Sequence, residues 1–201
     1  MNKVQNSERC FDANMLSNAE ILLTLALLIK GNYCNTSKAY ITFVGSYNKN
    51  AAIATVSNAC YELGIPFSNI LSDSCQDRFY LWGNKLDSLL AKQCLLPDKG
   101  QKWKNKLKVP TSWHELTNDR RVLINNLLFN IAKVYNTKIA GPAVRLPDNN
   151  AFANGLLQLL APINPDIQIR YGGTDRSKPL LWKVIPIKYV QPEIDDFSDL
   201  L

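Results

Sequence analysis

Apolar and polar positions alternate along this chain in two rhythms, one helical and one extended. Ala19 to Ile29 is a strongly apolar stretch with few polar interruptions, preceded by the capping residues Ser17 and Asn18. It predicts a helix buried on most sides. Lys30-Gly31-Asn32 supplies a stop signal. In Lys38 to Phe43 the rhythm changes to period two. Ala39, Ile41 and Phe43 share one face, and Lys38, Tyr40 and Thr42 share the other. An amphipathic helix opens at Asn48 to Asn50 and ends at Glu62-Leu63-Gly64, before the Ile65-Pro66 break. Short strands are expected near Phe67 to Leu71 and at Arg78 to Trp82. The second of these sets Arg78, Tyr80 and Trp82 opposite Phe79 and Leu81. Asn84 to Leu96 predicts a further helix.

After Pro97 to Pro110, a stretch rich in lysine, the pattern restarts. Thr117 caps a helix expected over Asn118 to Ala132, and a strand pair follows from about Val134 to Leu146. Pro147 to Asn150 opens a helix reaching Leu160. Ile167 to Tyr171 and Leu181 to Ile187 form an expected hairpin around Gly172-Gly173. Asn48-Lys49-Asn50-Ala51 and Asp148-Asn149-Asn150-Ala151 open the middle helix of each half. Order and spacing therefore point to an internal duplication. The alternative is one α+β domain whose halves match by accident. Residues 1–16 are expected to be a flexible start, 17–96 and 117–188 the two repeats, 97–116 a basic linker, and 189–201 an acidic tail.

Composition narrows the class. The chain has 201 residues, 46% hydrophobic and 20% charged, which suits a folded core and not a disordered chain. The net charge is +6, but Glu193, Asp195, Asp196 and Asp199 hold four of the 17 acids and all 23 bases precede them. Residues 1–192 thus set 23 bases against 13 acids, a charge of +10. A basic body with an acidic end suits a polyanion partner, DNA or RNA. The tail, which mixes acids with Ile, Phe and Leu, is either a frayed terminus that screens the body or a docking segment for a protein partner.

Cys10, Cys34, Cys60, Cys75 and Cys94 are odd in number and scattered, and His114 is the single histidine. This disfavours a zinc site and suggests reduced thiols in an intracellular, reducing compartment. No signal pattern opens the chain, and the apolar run at 21–29 is too short for a bilayer, so a soluble monomer without membrane contact is expected. Asn35-Thr36-Ser37 is a chance glycosylation sequon on this reading. His114 is expected to be structural or at the surface. No glycine-rich phosphate loop occurs.

Four stretches taken in order carry a family likeness. They are LLTLALLIKGNY (22–33), AYITFVGSYNKNAAIATVSNACYELGIPF (39–67), RFYLWGNKLDSLL (78–90) and KVPTSWHELTNDRRVLINNLLFNIAKVY (108–135). Together the chain resembles the LAGLIDADG homing endonuclease and maturase family over most of residues 17–188. The resemblance implies an α+β fold of two αββαββα repeats related by a pseudo-twofold. It also implies that each central helix should end in an acid beside a glycine, the two acids holding divalent metal for phosphodiester hydrolysis. This chain departs from that pattern. Lys30-Gly31 stands at the first acid-glycine pair, and Asn130 and Ala132 at the second helix's acidic positions. Glu20 and Asp119 lie at the opposite helix ends, on the order of 15 Å away, too far to substitute. The expectation is a nucleic-acid binder, maturase-like or regulatory, without a metal site or cofactor.

The resemblance further implies that the sheet faces turned away from the helices contact nucleic acid. Strand parity then nominates Lys38, Tyr40, Thr42, Arg78, Tyr80 and Trp82 in the first repeat, and Arg145, Gln168 and Arg170 in the second. Arg and Gln match guanine and adenine edges, and Lys and Tyr suit phosphates. Tyr80 and Trp82 are also able to stack on unpaired bases. Two alternatives stay open: an active endonuclease, which would need Mg²⁺, and a protein-interaction module without nucleic acid.

Overall fold

The computed structural model describes residues 12–34, 38–44, 46, 49–66, 70–73, 78–97, 102–103, 107–137, 141–171, 179–182 and 184. The Gly172-Gly173 turn, the acidic tail and Lys99, Lys104 and Lys106 lie outside the described residues.

The first repeat runs α1 (Asn18–Lys30), β1 (Gly31–Cys34), β2 (Lys38–Thr42), α2 (Lys49–Glu62), β3 (Ile70–Asp73), β4 (Arg78–Trp82) and α3 (Asn84–Lys92). The second runs α4 (Asn118–Ile131), β5 (Lys133–Thr137), β6 (Gly141–Arg145), α5 (Asn150–Leu160), β7 (Gln168–Tyr171) and β8 (Pro179–Trp182). Each repeat builds an antiparallel four-stranded sheet, in the orders β1-β2-β4-β3 and β5-β6-β8-β7. The identical topology bears out the duplication read from spacing.

α1 packs against both α4 and α2, as its apolar character requires, and α4 meets it through its buried side, which holds Ile124, Leu127, Leu128 and Ile131. In α1 every residue from Leu23 to Ile29 is buried. Its start is a capping box: Glu20 N–H donates to Ser17 Oγ, and Ser17 N–H donates to Glu20 Oε2. Lys92 then pairs with Glu20 Oε1 at 2.8 Å. Glu20 is thereby committed to the start of the helix.

Three sequence expectations change. α3 stops at Lys92, not Leu96. Cys94 takes a left-handed φ of 56°, Cys94 N–H donates to the Ala91 carbonyl and Leu95 N–H to the Leu90 carbonyl. That is a Schellman stop made without glycine, with Leu95 buried beneath it. Residues 12–16, expected in the loose start, form a 3-10 turn with Ala13 and Leu16 buried. Asn14 ties this turn to the second repeat through the Glu115 carbonyl and Thr117 N–H. The linker, expected as a solvated loop, keeps Lys102 and Lys108 exposed but buries Trp103, Leu107 and Val109. Apolar side chains at these positions had a core to join, where only the lysines had reason to face water.

A buried polar network fastens the linker to the first repeat. Gln93 donates to Thr24 on α1 and accepts from Trp113 Nε1 at 2.9 Å. All three side chains are buried. No helix among the described residues is long and apolar enough to cross a membrane.

Candidate nucleic-acid interface

Burial alternates along β2 and β4 as the sequence demands. Ala39, Ile41, Phe79 and Leu81 are buried, while Lys38 is exposed and Tyr40, Thr42, Arg78, Tyr80 and Trp82 are half-buried. Antiparallel pairing sets Lys38 opposite Trp82, Tyr40 opposite Tyr80, and Thr42 opposite Arg78. All six nominated side chains of the first repeat therefore share one face. The register also assembles a cluster that alternation alone does not specify. The Arg78 guanidinium lies 5.2 Å from the Tyr40 ring centroid. Its Nη1 reaches the Tyr80 hydroxyl at 3.5 Å, and the two tyrosine rings stand 6.1 Å apart, tilted by 51°. Asn32 on β1 donates to the Tyr40 hydroxyl at 3.3 Å. The arginine is thus held over an aromatic face.

In the second repeat Val144, Leu181 and Ile169 lie side by side on the core face. Arg145, Leu180 and Arg170 form a row across the opposite face, and Gln168 belongs to the next row. Gln168 and Arg170 are exposed and Arg145 is half-buried. Arg170 donates to Gln168 Oε1 at 3.0 Å. Leu180, between the two arginines in the row, is only 8% exposed. Two other arginines serve the scaffold: Arg120 donates to the Leu16 carbonyl, and Arg121 to the carbonyls of Leu116, His114 and Leu159.

The carboxyl ends of α1 and α4 are where the family pattern places its acids. α1 is capped by Gly31, whose N–H returns to the Leu27 carbonyl, and α4 by Ala132, whose N–H returns to Leu128. The caps make Gly31 and Ala132 equivalent, and so make Ile131 the counterpart of Lys30. The sequence reading placed the second position one residue later, at Ala132, and Asn130 at the earlier acid. Neither register supplies a carboxylate. Lys30 Nζ donates to the Val44 carbonyl at 2.9 Å, and Ser46 Oγ donates to the Ile131 carbonyl at 2.7 Å. One short segment of the first repeat thus ties both helix ends. No cluster of three or more His, Cys, Asp or Glu side chains suited to a metal occurs among the described residues.

The sequence reading missed Asn32, Ser46, Trp103 and Asp148. Asn32 was hidden because Lys30-Gly31-Asn32 reads as a helix stop, whereas Gly31 also starts β1. Extending the outward parity to the partner of Tyr40 would have found it. Nothing local marks the other three. His114 is exposed and touches none of this surface's named side chains among the contacts described.

No family model matches the chain, and no curated protein matches it. Among solved structures it is similar to the crystal structure of the N-terminal LAGLIDADG domain of DUF199/WhiA. The TM-score is 0.50 at 11% identity, covering 92% of this chain and 89% of that one. Identity this low speaks for the fold alone. With two sheets of equal topology around a central helix pair, the chain has a LAGLIDADG-like α+β fold.

Proposed function

We propose that this protein binds nucleic acid across the outward faces of its two sheets, without metal-dependent cleavage. The observation that carries the reading is the cluster of Arg78, Tyr40 and Tyr80 on an outward sheet face. It belongs to a body whose first 192 residues carry +10. Arg145, Gln168 and Arg170 extend the surface on the second sheet. A groove-reading surface needs cations for phosphates and planar donors for base edges, and both are present here. The helix ends carry Lys30 and Ile131 where hydrolysis on a two-metal plan would require carboxylates. A maturase-like or regulatory role follows from binding without cutting.

The deciding experiment is a salt titration of binding to duplex DNA and to single strands. Log affinity should fall linearly with log salt, by about 0.9 per phosphate neutralised on duplex and 0.7 on single strands. Arg78→Ala and Arg170→Ala should each weaken binding. A base-reading arginine costs about 1–3 kcal/mol and relaxes preference at one position. A phosphate-contacting one lowers the salt slope by about one. Binding indifferent to salt, or to loss of both arginines, would remove the sheet faces from the account. Incubation with Mg²⁺ or Mn²⁺ should leave duplex DNA intact. Site-specific cutting abolished by Asp148→Asn would instead establish an active endonuclease.

A further inference from the structure

We propose that a groove at the carboxyl end of α1 is a binding site for one unpaired nucleotide. Lys30, Asn32, Tyr40 and Thr42 of the first repeat line it, with Asp148 of the second and Trp103 of the linker. Its volume is about 390 Å³, within the range of small-molecule sites. Asn32, Tyr40 and Thr42 lie in register with the outward face of the first sheet, so the groove adjoins the surface assigned above to nucleic acid. The inference rests on that assignment only for the source of the nucleotide, a strand crossing the two sheets.

The lining chemistry selects the ligand. The Lys30 ammonium, held by the Val44 carbonyl, brings a positive charge to the groove wall that attracts a phosphate. Asp148 is an exposed carboxylate that accepts from the exocyclic amine or ring N–H of a base. Leu28, Ile29 and Leu107 provide apolar wall for a flat ring. A free phosphate would gain nothing from the carboxylate or the apolar wall. A divalent cation would need several oxygen ligands and would be repelled by the lysine. A purely apolar ligand would strand both charges. A nucleotide matches cation, carboxylate and apolar wall at once.

Trp103 adds an independent sign. It is 3% exposed, and its indole N–H has no acceptor among the described residues. Buried donors are rarely left unmet. Trp103 lines the groove, so a carbonyl or ring nitrogen of a base held there is the acceptor we assign to this N–H. The cost of taking a base out of its stack is least on single strands, which are therefore the favoured source.

The test is calorimetric titration of the full chain with AMP, CMP, GMP, UMP and inorganic phosphate. At least one nucleotide should bind well above phosphate. Asp148→Asn, a change at the surface, should alter the order of base preference. Trp103→Phe keeps the ring and removes the N–H, and should weaken the preferred nucleotide about 2- to 10-fold. Nucleotides that bind no better than phosphate, or binding unmoved by both variants, would overturn the proposal. A parallel salt titration of the unaltered protein on a long duplex separates the two readings. Duplex binding without nucleotide binding removes the groove alone, and nucleotide binding without duplex binding removes the sheet surface alone.

Discussion

Ser46 Oγ donates a 2.7 Å hydrogen bond to the carbonyl of Ile131, so a loop of the first repeat caps the central helix of the second. The last carbonyls of a helix have no partner within it, and a hydroxyl placed there meets one of them. Ser46→Ala should therefore destabilise the protein by about 0.5–1.5 kcal/mol, read from urea denaturation. An unchanged midpoint would show that water replaces the hydroxyl at no cost.

The hold of Tyr40 on Arg78 has its own signature. Tyr40→Leu removes the ring beneath the guanidinium and should weaken nucleic-acid binding about 2- to 5-fold. Tyr40→Phe retains the ring, loses only the bond from Asn32, and should bind close to the unaltered protein. Equal losses in the two variants would mean that the hydroxyl matters and the ring face does not.

Gln93 joins α1 to the end of the linker through Thr24 and Trp113. Gln93→Leu would leave a buried indole N–H and a buried hydroxyl without their partner. The expected cost is about 2–6 kcal/mol, from roughly 1–3 for each of the two unmet groups. For a chain of this size each kcal/mol lowers Tm by about 2–4 °C. Thr24→Val should be milder, because it removes a hydroxyl and keeps the shape. A Gln93→Leu protein as stable as the parent would show that the network adds nothing net.

Cys60 lies wholly buried in α2, and burial pushes its thiol up from 9.0 to about 12. The folded chain holds the proton after the unfolded chain has released it. The contribution to stability is therefore complete below about pH 9 and is lost as pH climbs from about 9 to about 12. The limiting slope is about 1.4 kcal/mol per pH unit. Denaturation at stepped pH should show a shallower alkaline decline in Cys60→Ala than in the parent, whatever the variant's absolute stability. At neutral pH a thiol reagent should modify exposed Cys94 and spare Cys60 until the protein unfolds. Identical alkaline slopes would refute the assignment.

Much of this architecture was legible beforehand because local patterns carry it. The apolar run at 21–29, interrupted only by Thr24, required burial on most sides, and it finds that cover against α2 and α4 together. Period-two alternation at Lys38 to Thr42 and at Arg78 to Trp82 assigned each side chain to a face, since successive residues of a strand must point opposite ways. Arg145, Gln168 and Arg170 share one face for the same reason. That Lys30, Asn130 and Ala132 stand at the helix ends was read from the sequence; the caps add that Ile131 is the structural counterpart of Lys30, because a helix end is set by its cap and not by a count along the chain.

What the tertiary structure alone decided is which distant residues meet. Alternation says that Tyr40 faces outward, but not that β4 lies beside β2 in a register setting Tyr40 against Tyr80 and Arg78 over the ring. Shifting that register by two residues would preserve every face and dissolve the cluster. Ser46 reached Ile131, and Gln93 reached Thr24 and Trp113, through contacts long in sequence and fixed by packing. The early end of α3 has the same origin. Leu95 gains burial and Gln93 gains two buried partners, which together outweigh the cost of a left-handed Cys94. Local propensity sets the elements and their faces; pairing and burial between remote elements set the site.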